Sequence, residues 1–301
     1  MTDRKMCSPF PWFGGKSQVS HLVWERFGDV PNYIEPFAGS LAVLLNRRTK
    51  PRIETINDKD QYLANFWRAL QHEPDAVAHH ADWPVNEVDL AARRDWIFAQ
   101  TEFKDRMWRD PDYYDAKIAG WWVWGVCSTI GNAWKAKSTH LSSAGMGIHR
   151  PGTHLGDAGR GALLCEYFRA LQARLERVRV MCGDWSRVTS PSVTTHNGIT
   201  GVLLDPPYNS DCDAVYEHNQ LIGDAVRAWA IERGDDPNMR IALCGYEGEH
   251  AMPGSWKCIA WKARGGYGSQ GGGRGRANAT RERIWFSPHC LTTELFTQES
   301  T

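Results

Sequence analysis

"NYIEPFAGS", residues 32–40, passes from an aromatic and apolar pair into a carboxylate, a proline and a phenylalanine, and ends on one glycine before the apolar run "LAVLLNRR". This pattern predicts a short buried strand, a tight turn at Gly39 and a helix over the run that follows. Two other stretches are built the same way. "RIETINDKD" (52–60) ends in acids before the amphipathic "YLANFWRALQ", and "GVLLDPPY" (201–208) runs apolar up to Asp205. Further strands are expected at "RVRVMCGDW" (177–185), after the helix "ALLCEYFRALQARLERV", and at "NMRIALCGYEG" (238–248), after "LIGDAVRAWAIER". "SWKCIAWK" and "RERIWFSP" supply two more near the C-terminus. Strands alternating with helices imply an α/β fold, a mostly parallel sheet covered on both faces.

Residues 61–165 break that rhythm. They read as helices, "LAARRDWIFAQTEFKDRM" and then "YYDAKIAGWWVWGVCSTI", followed by a Gly/Ser/His-rich stretch at 131–161. This segment is expected to be an insertion packed beside the sheet. Residues 264–277, "RGGYGSQGGGRGRA", are low in complexity, and no repeat is present.

The length of 301 residues, 42% of them hydrophobic, suits one large domain or a core domain carrying an insertion. No run of about 18 apolar residues exists, and the first residues lack the apolar stretch of a signal peptide. Eight cysteines are scattered without C-x-x-C or Cys/His ligand spacing, which predicts reduced thiols in a cytoplasmic protein and no zinc site. Net charge is zero, but its distribution is uneven. Residues 116–156 contain no acid and carry +4, and residues 250–281 contain no acid and carry +6, which leaves −10 on the remainder. Two acid-free basic stretches in a neutral protein suit a positive face toward a polyanion.

In doubly wound sheets ligands bind at the carboxyl ends of strands. Glu35, Asp58, Asp184 and Asp205 are all expected there, and four carboxylates on one rim repel unless they hold a ligand rich in donors. Asp58 follows Gly39 by 19 residues, the spacing at which an acid grips ribose hydroxyls. The turn has a single glycine, so it suits a nucleoside rather than a pyrophosphate. "PWFGGKS" (11–17) is no P-loop, because Phe10 stands where the first glycine is required. Its glycines and Lys16 still suit an anion at a helix start. Pro206 and Pro207 hold Asp205 extended and carry no N–H, so Asp205 and the Pro206 carbonyl present two acceptors at fixed spacing. Two such acceptors match the two protons of an exocyclic amine, and Tyr208 offers a face to a flat ring.

The blocks "PWFGGK", "YIEPFAGSLAVLL", "IND", "GDW" and "LLDPPY" occur in the order of the alpha-group DNA adenine-N6 methyltransferases. Over about residues 9–60 and 177–210 the chain resembles that Dam-like, D12 class family. The resemblance implies a Rossmann-like class I methyltransferase sheet. Its catalytic parts would be residues 1–60 and 166–301, with a mainly helical target-recognition region inserted at 61–165. It implies S-adenosylmethionine as cofactor and no metal. Trp12 and Lys16 would belong to the first cofactor motif; Glu35, Pro36, Phe37 and Gly39 would form the turn around the methionine moiety, with Glu35 toward its amino group. Asp58 would take the ribose hydroxyls. Asp184 would accept from the cofactor's adenine amine, with Trp185 beside that ring. Asp205, Pro206, Pro207 and Tyr208 would hold the target adenine.

The partner implied is double-stranded DNA, with no membrane; the sequence leaves the oligomeric state open, and a monomer is only guessed. Lys135, Lys137 and Arg150, with Asn132 and His140, are candidates for DNA contacts in the insertion. Arg264, Arg274 and Arg276 are candidates in the glycine tract. Phe13 departs from the small residue usual before the double glycine. Rival readings are cytosine-N4 methylation, disfavoured by Asp205 at the first motif position, methylation of RNA or protein, and a cofactor-dead DNA-binding module. A nicotinamide-dependent dehydrogenase suffers from the missing glycines.

Overall fold

A computed structural model describes residues 6–12, 15–49, 52–129, 134, 161–208, 213–262 and 280–292. Seven strands form one sheet: β1 (Asn32–Glu35), β2 (Ile53–Asp58), β3 (Arg179–Cys182), β4 (Thr200–Leu204), β5 (Met239–Tyr246), β6 (Lys257–Ala260) and β7 (Glu282–Phe286). Their order is β3-β2-β1-β4-β5-β7-β6. β1 to β5 run parallel, while β7 is antiparallel to both β5 and β6. All seven stretches expected to be strands are strands. The central β1 and β4 are buried along their whole length, as expected for parallel strands covered on both faces.

Among the described residues there are eight α-helices: α1 (Ser20–Phe27), α2 (Gln61–His72), α3 (Pro74–Ala81), α4 (Glu87–Phe98), α5 (Phe103–Arg109), α6 (Ala116–Ser128), α7 (Ala162–Leu175) and α8 (Asp213–Gly234). Asp60, Asn86 and Asp115 cap α2, α4 and α6 by accepting backbone N–H groups of the first turn. Helix α2 packs against β2 and β3, and α3 packs against α6. At that crossing a Cβ on Gly120 would stand 2.4 Å from His80 Cβ, so only glycine permits the approach.

One apolar cluster runs from the sheet through this helical layer. Its hub is Phe10, fully buried, whose ring centroid lies 5.5 Å from Phe66 on α2 and 5.2 Å from Trp122 on α6. Burying a ring of this size contributes roughly 1.5–3 kcal/mol. More to the point for function, it anchors the segment just before Trp12 against α2 and α6.

Two expected helices differ. "LAVLLNRR" is not a helix; only Leu44–Asn46 forms a single 3-10 turn. Gly39 and Leu41 both adopt left-handed φ (48° and 57°), and the Leu44 N–H, which a helix would need, donates to Glu35 Oε1 at 2.8 Å. Arg47 then turns extended and sends its guanidinium to the Val30 carbonyl at 2.6 Å. The stretch from Leu90 to Met107 is two helices, α4 and α5, rather than one. The break lets Phe98 (edge-on, 5.6 Å) and Phe103 (stacked, 5.2 Å) both meet Tyr62. Five residues apart on one helix, they would point about 140° away from each other.

Among the described residues no helix is long and apolar enough to cross a membrane, and no group of three His, Cys, Asp or Glu side chains is placed to hold a metal.

Candidate active site

The strand order reverses between β1 and β4, and a crevice at such a switch point, on the carboxyl side, is where open α/β sheets bind ligands. Glu35 ends β1, Asp58 ends β2, Asp184 follows β3 and Asp205 follows β4. Those four strands are consecutive in the sheet, so the four acids stand along one rim.

Gly39 governs the first half of the site. Its φ is 48°, and a Cβ there would fall 2.6 Å from Trp12 Cδ1 and Nε1. The half-buried indole of Trp12 therefore lies directly against the turn. The Gly39 N–H donates to Asp58 Oδ2 at 3.2 Å, and Asp58 Oδ1 accepts the Asp60 N–H at 2.9 Å. Asp60 is occupied as the cap of α2, so Asp58 is the acid of this pair that faces the turn. Behind them, Asn57 Nδ2 donates to the carbonyls of Pro36 (3.0 Å) and Gly183 (3.1 Å), joining the turns after β1 and β3.

Glu35 is buried, at 2% exposure. Its Oε1 accepts from the Tyr33 hydroxyl at 2.7 Å and from the Leu44 N–H. Burial pushes its carboxyl up to about 8, against these two hydrogen bonds, which favour the charged form. Asp184 is exposed and caps the short turn at Trp185–Val188, and its bond from Ser186 Oγ holds its carboxyl below the usual range. Trp185 stacks on Phe37, with ring centroids 6.4 Å apart and planes 26° apart. Trp229 meets Trp185 edge-on at 6.2 Å.

The second half lies at the end of β4. Lys16, buried at 3% exposure, sets Nζ 2.9 Å from Asp205 Oδ1. Burial alone would push the ammonium down, but Asp205 and Glu282 outweigh it, and Lys16 stays charged. The same Nζ lies 5.1 Å from the Tyr208 ring centroid and 5.6 Å from that of Trp261. Tyr208 donates its hydroxyl to Glu282 Oε2 at 3.2 Å and packs edge-on against Tyr246 at 4.7 Å. Burial, with Asp205 nearby, pushes the Tyr208 hydroxyl well up, so it remains a donor.

The structure thus gathers Trp12, Glu35, Pro36, Phe37, Gly39 and Asp58 at one end of the crevice. Asp205 to Tyr208 stand at the other. It sets Lys16 against Asp205, whereas the motif suggested a cofactor contact. Glu282, Trp261, Tyr246 and Tyr33 were missed by sequence reasoning. A signal for Glu282 existed: it is the acid that ends the acid-free stretch 250–281. Lys135, Lys137, Arg150, Arg264, Arg274 and Arg276 lie outside the described residues, as do Asn132, His140 and Phe13.

A Gly39→Ala substitution is expected to destabilise the protein by about 1–2 kcal/mol from the left-handed φ alone, with displacement of Trp12 in addition. A change in melting temperature together with an altered Trp12 environment by fluorescence checks this. An unchanged melting temperature would show the turn to be softer than its geometry implies.

A seven-stranded sheet in this order, with β7 reversed and an acid rim at the switch point, is consistent with a methyltransferase fold. Residues 12–114 match the family model described as D12 class N6 adenine-specific DNA methyltransferase. The matched segment is about a third of the chain and contains Trp12, Lys16, the turn at 35–39 and Asp58. Asp184 and the stretch from Asp205 to Tyr208 lie beyond it. Comparison with curated proteins gives no match.

Proposed function

We propose that the chain methylates the N6 amine of an adenine in duplex DNA, using S-adenosylmethionine and a target base rotated out of the helix. The observation that carries this is Asp205, fixed by Lys16 at 2.9 Å beside Tyr208 at the end of β4. The residues present fit the cofactor. Glu35, whose Oε2 takes no hydrogen bond among the described residues, suits an ammonium. Asp58 suits vicinal hydroxyls, and Phe37 and Trp185 suit a flat ring. When bound, S-adenosylmethionine supplies an electrophilic methyl group, and the nitrogen–carbon bond forms as the carbon–sulfur bond breaks.

The chain's own part is positioning and electrostatics. Adenine N6 is a poor nucleophile, because its lone pair is delocalised into the ring. Asp205 and the Pro206 carbonyl accept the two amine protons, draw the nitrogen out of conjugation and stabilise the positive charge it develops. Lys16 holds the Asp205 carboxylate toward the base, and one amine proton leaves through Asp205 to solvent. Pro206 and Pro207 keep that segment extended, and Tyr208 stacks on the base. A base inside a duplex cannot reach such a pocket, which is why flipping is required. The inserted helices at 61–165 are proposed to recognise the target. Lys135, Lys137, Arg150, Arg264, Arg274 and Arg276 are proposed to contact the DNA backbone.

The test is transfer from labelled S-adenosylmethionine to unmethylated DNA of mixed sequence, followed by nucleoside analysis. N6-methyladenine is expected. N4-methylcytosine would mean that the pocket reads the amine but not the purine, and the absence of any labelled nucleoside would overturn the proposal.

A further inference from the structure

A second acid, this one buried, stands beside the Lys16–Asp205 pair. Glu282, the first residue of β7, is 4% exposed. Its backbone is fixed on both sides: it pairs with Tyr246 on β5, and its carbonyl accepts the Trp261 N–H at 3.2 Å. Its side chain accepts the Tyr208 hydroxyl at 3.2 Å. Tyr208 is therefore held at its hydroxyl by Glu282, with Asp205 a second acceptor beside it, and at its ring by the edge-on contact with Tyr246. Lys16, which pairs with Asp205, stands over the same ring.

A buried carboxyl is costly to retain unless its charge or its geometry is used. A glutamine would accept the same hydroxyl proton and keep the shape, so the hydrogen bond alone does not account for an acid here. The groups facing Glu282 are Lys16, Asp205 and Tyr208, Cys244 and Tyr246 on β5, and Glu249 in the turn after β5. Burial pushes Tyr208, Cys244 and Tyr246 up, so the charges that Glu282 meets near neutral pH are those of Lys16, Asp205 and Glu249. Lys16 and Asp205 balance each other, and an ionised Glu282 adds a second negative charge to that of Glu249.

We propose that Glu282 is a positioning residue for methyl transfer. Through the Tyr208 hydroxyl it fixes the ring on which the target base rests, and through its charge it adds to the negative field around the amine. The inference rests on the function proposed above. Burial pushes the Glu282 carboxyl up, Lys16 pulls it down and Asp205 adds to the rise, which sets it at about 7. The charged form therefore appears across the neutral range.

The test is Glu282→Gln in the full chain. In the wild type, kcat is expected to rise with pH through a limb near 7, as the ionised form stabilises positive charge on the base. In Glu282→Gln that limb disappears. The rate falls about tenfold at about pH 8.5 and stays within about twofold of wild type at about pH 6. A merely structural role would lower the rate equally at every pH. A second readout needs neither cofactor nor DNA. The folded protein holds the Glu282 proton above the ordinary glutamate value of 4.5, so wild-type stability falls as pH rises from there to about 7, and the glutamine variant shows a shallower fall. A variant that keeps both the kinetic limb and the wild-type stability slope overturns the inference while leaving the methyltransferase reading intact. A wild-type protein that modifies no DNA overturns both.

Discussion

Replacing Asp205 by asparagine is expected to slow methyl transfer by about 10²–10³-fold while leaving affinity for S-adenosylmethionine within a few-fold. Asparagine is the informative substitution, because Lys16 Nζ lies 2.9 Å from Asp205 Oδ1 and is buried. Alanine would strand that ammonium without its partner, and breaking a buried pair from one side costs about 3–5 kcal/mol. Asparagine keeps the shape and an acceptor oxygen for the buried Lys16 ammonium, and removes the carboxylate charge. The proposed mechanism asks the carboxylate to stabilise positive charge on N6 and to take up one proton, and an amide does neither well. Single-turnover rates with saturating cofactor, paired with an equilibrium measurement of cofactor binding, separate the two effects. A variant with wild-type turnover would remove Asp205 from the chemistry. A variant that fails to bind cofactor would reassign it to the cofactor half of the crevice.

A Glu35→Gln substitution is expected to weaken S-adenosylmethionine binding by about 10- to 100-fold, the range of a lost charge-assisted hydrogen bond. It is also expected to change how binding and stability respond to pH. Burial pushes the Glu35 carboxyl up to about 8, so in the ligand-free protein it is mostly neutral at pH 7. An ammonium arriving at its second oxygen favours the charged form, and binding near neutrality then releases up to one proton. Calorimetry in buffers of different ionisation enthalpy measures that release, and the glutamine variant should show none from this site.

The stability consequence has a definite sign. The folded carboxyl keeps its proton above the ordinary glutamate value of 4.5, so the native state binds more protons than the unfolded chain between there and about 8. Stability is therefore greatest at the acid end of this window and declines toward pH 8, by at most about 1.4 kcal/mol per pH unit for one proton. Glu282 contributes a similar decline only up to about 7. A wild-type slope between pH 7 and 8 that survives in Glu35→Gln would show that Glu35 is ionised already in the folded protein.

How much of this was legible beforehand follows from how local each feature is. The strand ends at Glu35, Asp58, Asp184 and Asp205 could be read because an apolar run that stops at an acid is a property of a few adjacent residues. The stiffness of the segment from Asp205 to Tyr208 was equally local, since two prolines restrict their own neighbours. The failed helix at 41–48 marks the limit of that reasoning. Its composition favours a helix, yet the Leu44 amide is taken by Glu35 Oε1, from a strand nine residues earlier in the chain. The split between α4 and α5 is of the same kind, imposed by Tyr62 drawing in Phe98 and Phe103 from either side.

By itself, then, the sequence determined an alternating α/β chain, the acids at its strand ends, the glycine turn and the rigid acceptor pair at Asp205. Each follows from sterics and polarity within one short segment. Only the tertiary structure decided that Lys16 pairs with Asp205 and that Glu282 holds Tyr208. Lys16 and Asp205 are 189 positions apart, and Tyr208 and Glu282 are 74 apart. Tyr208 and Glu282 meet because β7 inserts antiparallel between β5 and β6, in a register that sets Glu282 opposite Tyr246. Such a register is fixed by burying the apolar faces of the whole sheet at once, and no single segment carries that information.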